Sequence, residues 1–351
     1  MSLAEAVVAN AFELTTDPVA LARAHQKFSV ITGQAVEQEL FRALQRDDVA
    51  CAAEVVGPSG SGKSSCIMRV CSDIAGMDAT GHEMLILSAG DAASSLTDPA
   101  AFAHHLVDVI RSQGFRFSTD VQDRLELVGA RETEVTEPVR THTGRAEGGV
   151  PGVRASYQHA LQEAHHKRVF GQSAAQARGD LSDILKVMRA EGARPVVVID
   201  DTDRFVDPPG EDGLSPTVDF LFVNAVRLLS ELAVDFVVAV HPRFAGTDGY
   251  EQARTRLLRT RVEIPPLLYG GRNPLNAILA GHLRSHGIPE PVSGLVGDGA
   301  LDVLYGVYFA EGRDLREVLR VTERAAAHAV GQRRPLVEAA DVAWVLAELT
   351  D

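Results

Sequence analysis

Residues 54–70 read EVVGPSGSGKSSCIMRV, and within them Gly57, Pro58, Ser59, Gly60, Ser61, Gly62, Lys63 and Ser64 fit the spacing G-x-x-x-x-G-K-[ST]. The chemistry of that pattern is anion binding. Glycines let the chain turn tightly enough for successive backbone N–H groups to converge on phosphate oxygens. Lys63 offers a flexible cation to the β and γ phosphates of a nucleotide, Ser64 offers a hydroxyl to magnesium, and Ser65 completes the expected cradle. A second set lies far along the chain, in RPVVVIDDTDRF over 194–205. The apolar run Pro195 to Ile199 predicts a buried strand that delivers Asp200 and Asp201 to its carboxyl end, where ligands bind in open α/β sheets. Asp200 is expected to hold magnesium through water, and Asp201 to orient the attacking water or take its proton. Either set alone could be a Gly/Ser-rich turn or a pair of surface acids closing a strand. Together, in the right flanking contexts, they read as one nucleotide site.

The elements needed to position these residues are legible. VACAAEVVG reads as a strand leading into the loop, and KSSCIMRVCSDIAG as a helix leaving it, with Ile67, Val70, Cys71 and Ile74 at helical spacing. Residues 1–48 carry helical patterns, including AVEQELFRAL. Further strands are expected at 82–90, 236–240 and in TRVEIPPL, and helices at Pro99 to Arg111 and Thr217 to Leu232. Residues 112–192 read as an insertion, with a Gly-containing loop in RTHTGRAEGGVPGVR and helices at about 155–168 and 173–191. After Pro265 and Pro266 no strand pattern appears. Helices follow at about 273–286, 298–310, 313–330 and 337–349. The fold class expected is a three-layer α/β/α domain with a mainly parallel five-stranded sheet and an all-α lid. Its expected divisions are an N-terminal helical segment at 1–48 packing on the nucleotide-binding core, an α/β domain at 49–268 with the insertion, and the lid at 269–351.

Composition bounds the rest. The chain has 351 residues, 45% of them apolar, enough for a sizeable core. No run approaches the roughly 18 apolar residues of a membrane span, and the N-terminal stretch lacks a basic leader, so a cytoplasmic protein is expected. Cys51, Cys66 and Cys71 show no C-x-x-C spacing and read as reduced packing residues. A net charge of −14 opposes a generally basic nucleic-acid coat protein. Arginines do gather at Arg254, Arg256, Arg259 and Arg261, and at Arg313, Arg316, Arg320, Arg324, Arg333 and Arg334, spacings that more often mark a solvated face.

GPSGSGKS, VVVIDD and the helical region after them, in this order, resemble the AAA+ ATPases, most closely their initiator-type and STAND-like branches, over roughly residues 25–349. The segment GRDLREVLRVTERA at 312–325 is similar to the sensor 2 helix of the lid. The resemblance implies that Arg316, with Arg313 second, reaches the γ-phosphate. It puts the sensor 1 position on His241, where Asn, Thr or Ser is commoner, and makes Arg256 or Arg259 the candidate arginine finger of a neighbouring subunit. Asp201 stands where many AAA+ motors have Glu, and its shorter side chain implies slow hydrolysis. The function implied is a switch that binds ATP or ADP with Mg2+, hydrolyses slowly, and in the ATP state forms a homo-oligomer or recruits a protein partner. Such relatives work in DNA transactions and defence. The chain ends at Asp351 directly after the lid, so DNA contact is expected through the ring interior, the insertion or another protein rather than a dedicated DNA-binding domain. The alternative is a signalling or scaffold NTPase with a structural nucleotide. A small-molecule kinase is disfavoured by the separate helical lid.

Overall fold

The computed structural model describes residues 2–350 apart from 14, 16, 47–48, 77–81, 89–97, 113–120, 123–124, 126–173, 207–215, 268–272, 290 and 311–313. The expected Gly-containing loop, the helix at 155–168 and Arg313 therefore lie outside the described residues. The chain divides into two compact units. One holds Met1–Asp78, Val237–Arg243 and Arg259–Asp351; the other holds Ala79–Phe236 and Phe244–Leu258.

Five strands, β1 (Ala52–Val56), β2 (His82–Ser88), β3 (Arg194–Asp200), β4 (Asp235–Val240) and β5 (Thr260–Glu263), make one parallel sheet in the order β2-β3-β4-β1-β5. All residues of β1 and β4 are buried. Such strands are covered on both faces, which is why they read as continuous apolar runs rather than alternating ones. The parallel five-stranded sheet with a helical lid is the fold class the sequence predicts.

In the first unit, Asp17 caps α2 (Pro18–Ala24), whose Pro18 occupies the first helical position where no N–H is missed. Helices α1 (Leu3–Val8), α3 (Phe28–Ile31) and α4 (Val36–Leu44) precede the sheet, and α5 (Lys63–Ala75) follows β1. α2 packs on α5, and α4 packs on both α5 and β5. Glu54 in β1 is 1% exposed, and its register partner in β5 is Arg261, whose guanidinium lies 3.7 Å from the carboxylate. A carboxylate so deeply buried demands such a partner. The lid consists of α11 (Asn273–Ser285), α12 (Asp298–Ala310), α13 (Leu315–Gly331) and α14 (Ala339–Thr350). Gly281 lets α11 approach α2 closely: a Cβ there would lie 2.3 Å from the Ala24 carbonyl oxygen. Tyr308 and Tyr305 of α12 accept the Leu267 and Leu275 N–H groups at 3.0 and 3.1 Å, fixing the entry into the lid. α1 packs on α13.

In the second unit, α6 (Pro99–Ser112) and α7 (Ala174–Ala190) pack on each other, α6 also on β2 and α7 also on β3. α7 falls inside the range expected as an insertion, yet it covers the sheet. The helix expected over 217–232 is α8 (Pro216–Phe220), a π turn (Leu221–Ala225) and α9 (Val226–Glu231). Within that turn, buried Phe222 makes edge contacts with Phe244 and Tyr250, at ring separations of 5.8 and 5.1 Å. α10 (Asp248–Arg256), capped by Thr247, was not expected; it is mostly polar and buries only Gly249, Tyr250 and Ala253. Asp235, 5% exposed, receives Arg194 at 2.5 and 3.3 Å, closing the amino ends of β3 and β4. Among the described residues no helix is long and apolar enough to cross a membrane.

Candidate nucleotide site

The loop leaving β1 is built from its backbone. The Gly57 N–H donates to the Val240 carbonyl at 3.1 Å, tying the loop's first residue to the end of β4, and the Ser61 N–H donates to the Pro58 carbonyl at 3.3 Å. Gly60 and Gly62 have φ of 65° and 97°, left-handed values that glycine adopts without strain. Gly62 caps α5, so the helix N-terminus opens at the loop. Lys63 is buried at 4% exposure, and its Nζ donates to the Gly57 and Pro58 carbonyls at 2.8 Å each. The Ser61 hydroxyl is buried without a hydrogen-bond partner. Buried polar atoms are normally satisfied. The Ser61 hydroxyl is thus a donor without an acceptor, set beside the loop backbone, a lysine and a helix N-terminus, and phosphate oxygens are acceptors of the right kind.

The lid reaches this loop within the same unit. The Leu315 N–H donates to the Gly60 carbonyl at 3.0 Å. Asp314 caps α13 by accepting the Arg316 N–H at 2.7 Å, and its carboxylate lies so close to Gly60 that a Cβ there would fall 1.6 Å from Oδ1. Arg316 is thus one residue from a backbone bond to the loop. Its side chain is exposed and forms no ion pair among the described residues. Arg320, by contrast, pairs with Glu317 and belongs to a solvated face. His241 directly follows the Val240 carbonyl that holds Gly57, and its Nδ1 accepts the Arg243 N–H at 3.1 Å.

Behind the loop lies a polar cluster that motif reading did not find. His25 Nε2 is 2.8 Å from Glu37 Oε1, which also accepts the Phe28 N–H at 2.6 Å. His25 Nδ1 is 3.2 Å from the Ser65 hydroxyl, which donates to the Gly62 carbonyl at 3.0 Å. Burial pushes the Glu37 carboxyl up, but the His25 bond and backbone N–H donors more than offset it and hold the carboxyl below its ordinary value. Burial, with the Glu37 charge beside it, pushes the Cys66 thiol up. Only Ser65 carried a signal, because His25 and Glu37 follow no spacing tied to the loop.

Asp200 and Asp201 belong to the other unit. Asp200 ends β3 at 9% exposure, in register with Ser88 of β2. Asp201 has φ 60°, a left-handed geometry uncommon outside glycine that Asp tolerates better than most residues. Its Oδ2 is 2.5 Å from Arg204 Nε, a partner not anticipated from the sequence. Of the first arginine cluster, Arg254 pairs with Glu251, and Arg261 with Glu263 and Glu54. Arg256, ending α10, and Arg259, just before β5, are exposed and form no ion pair among the described residues.

No protein-family model matches the sequence, and no curated protein matches it. Solved structures do. The ORC1 protein of Aeropyrum pernix in complex with DNA has a TM-score of 0.50 at 16% identity, over 92% of this chain and 69% of that one. The ADP form of the Aeropyrum pernix ORC2 protein has a TM-score of 0.50 at 14% identity, over 89% and 66%. Cdc6p from Pyrobaculum aerophilum has a TM-score of 0.50 at 12% identity, over 93% and 69%. This chain thus spans about two thirds of the length of each. At such identities the likeness is one of fold, and it agrees with the parallel sheet and the helical lid: the chain has the fold seen in these ORC1, ORC2 and Cdc6p structures.

Proposed function

We propose that this chain binds ATP at the Gly57–Ser65 loop, hydrolyses it slowly, and acts as an ATP-dependent conformational switch in a DNA transaction. The observation that carries the reading is the lid's docking on the loop. Leu315 N–H on the Gly60 carbonyl leaves Arg316 exposed, without an ion pair among the described residues, at the start of α13. A guanidinium there gains a partner when a γ-phosphate is present and loses it after hydrolysis, so lid position would follow nucleotide state. Lys63 would turn from its loop carbonyls to the phosphate oxygens. Ser64 would offer its hydroxyl to magnesium, whose charge neutralises those oxygens, and the magnesium role of Asp200 rests on its motif. Asp201 would orient water, and His241 would read the loop from the end of β4. The DNA setting rests on the Aeropyrum pernix ORC1 structure being a DNA complex.

The test is equilibrium binding of labelled ATP and ADP analogues. Lys63→Ala should lose ATP affinity. Arg316→Ala should weaken ATP by about 10- to 150-fold relative to ADP, as expected for a charge-assisted contact of roughly 1.5–3 kcal/mol. Unchanged ATP affinity in the first variant, or equal effects on both nucleotides in the second, overturns the corresponding role. One observation favours the second reading, a scaffold with a structural nucleotide: Asp201 is already engaged by Arg204. Multiple-turnover phosphate release separates the two, since a scaffold releases almost none.

A further inference from the structure

We propose that His25, Glu37 and Cys66 form a binding site for one divalent cation of the zinc class, behind the phosphate loop. The three side chains come from the end of α2, from α4 and from α5; all are buried, and their ligand atoms lie within 4.8 Å of one another. An imidazole, a carboxylate and a thiol suit a borderline-soft cation. Donor atoms around a tetrahedral cation stand about 3.3–3.6 Å apart, so His25 Nε2 and Glu37 Oε1, now 2.8 Å apart, part slightly on binding while Cys66 Sγ, within 4.8 Å of both, draws in. Charge also fits. A neutral imidazole with a carboxylate and a thiolate balances a doubly charged cation, leaving the buried site neutral.

The hydrogen bonds supply the independent support. Ser65 donates its hydroxyl proton to the Gly62 carbonyl, so the contact between Ser65 Oγ and His25 Nδ1 requires an N–H on Nδ1. Nε2 is then either protonated towards Glu37 or a free lone pair for a metal. A cation on Nε2 leaves the other bonds in place: Nδ1–H to Ser65, Ser65 to Gly62, and Phe28 N–H to Glu37. Metal-bound histidines and carboxylates are held by outer partners of this kind. A water would complete the coordination. Binding replaces the Cys66 S–H bond with an S–metal bond and any Nε2–H bond of His25 with an N–metal bond, releases each displaced proton to solvent and involves no redox change. The cation clamps α2, α4 and α5 together one turn behind the loop, so its presence sets the stiffness of the cradle.

The full-length chain, stripped with a chelator and kept free of nucleotide, is titrated with Co2+ as a spectroscopic stand-in. The expected result is a thiolate-to-cobalt charge-transfer band that saturates at one equivalent, is displaced by Zn2+, and accompanies a higher Tm. Cys66→Ser should lose the band, and His25→Gln should weaken cobalt binding at least 10-fold, while Cys51→Ala and Cys71→Ala keep both. No band in the parent chain, or a band that persists in Cys66→Ser, overturns the proposal and leaves only a hydrogen-bonded His25–Glu37 pair. Because the titration contains no nucleotide, its outcome is independent of ATP binding.

Discussion

Asp201 combines a left-handed backbone with a carboxylate held by Arg204. Strained non-glycine residues persist where the surrounding structure over-determines them, often at functional sites. If the carboxylate orients water, Asp201→Asn should leave ATP binding intact and lower turnover by on the order of 10²-fold or more. Phosphate release at the parent rate would move the role elsewhere. Arg204 acts in the opposite direction. It is 60% exposed, and ion pairs at such positions are worth about 1 kcal/mol or less. Arg204→Ala should therefore free the carboxylate and raise turnover by no more than about 5-fold; a marked fall would show that Arg204 itself serves the reaction. The paired aspartates were legible because a buried strand ending in two acids is a local pattern. Arg204 was not, because DDTDR offers it three neighbouring carboxylates and no spacing singles out Asp201. His25 and Glu37 were equally hidden: what joins them to Ser65 is the crossing of α2 and α4 over α5, not any spacing.

The docking of α13 on the loop joins two elements far apart in the chain through Gly60. Gly60→Ala would place a methyl group into the Asp314 carboxylate and force alanine into φ 65°. The helix start must move. The Leu315 amide, bonded to the Gly60 carbonyl, should then lose hydrogen-exchange protection, and ATP affinity should fall with it. Retained protection at Leu315 would mean that lid and loop are not coupled there. The lid carries an acid limit of its own. Burial, aided by the nearby His286, holds the His282 imidazole at about 4, below its ordinary 6.5. The unfolded chain binds that proton more readily, so stability present above pH 6.5 is lost as pH falls towards 4, by about 1–3 kcal/mol. His282→Asn should flatten this part of the Tm-versus-pH profile, and an unchanged slope would assign it to other groups. Strands and lid helices were readable from apolar runs and helical periodicity. The π turn and α10 were not: one is fixed by Phe222 meeting Phe244 and Tyr250, and the other buries too little for its period to register.

For the whole chain the open question is whether copies act together. Arg256 and Arg259 are exposed and form no ion pair among the described residues, whereas Arg254 and Arg261 are spent on neighbouring carboxylates. An arginine held out without a carboxylate is available to a phosphate on another subunit, and in other phosphoryl-transfer enzymes a trans arginine is worth 10³–10⁵ in rate. A net charge of −14 opposes self-association, most strongly at low salt where repulsion is least screened. If association is ATP-dependent and productive, ATPase activity per chain should rise with protein concentration, and sedimentation should show a larger species with a slowly hydrolysed analogue than with ADP. Moderate salt should favour that species. Arg256→Ala or Arg259→Ala, whichever residue is the finger, should keep ATP affinity and assembly while lowering turnover by on the order of 10²-fold or more. Mixing it with Lys63→Ala chains, which bind no ATP but carry both arginines, should restore part of the activity. A rate per chain independent of concentration, with no rescue in the mixture, would assign hydrolysis to the single chain and leave both arginines as solvated surface.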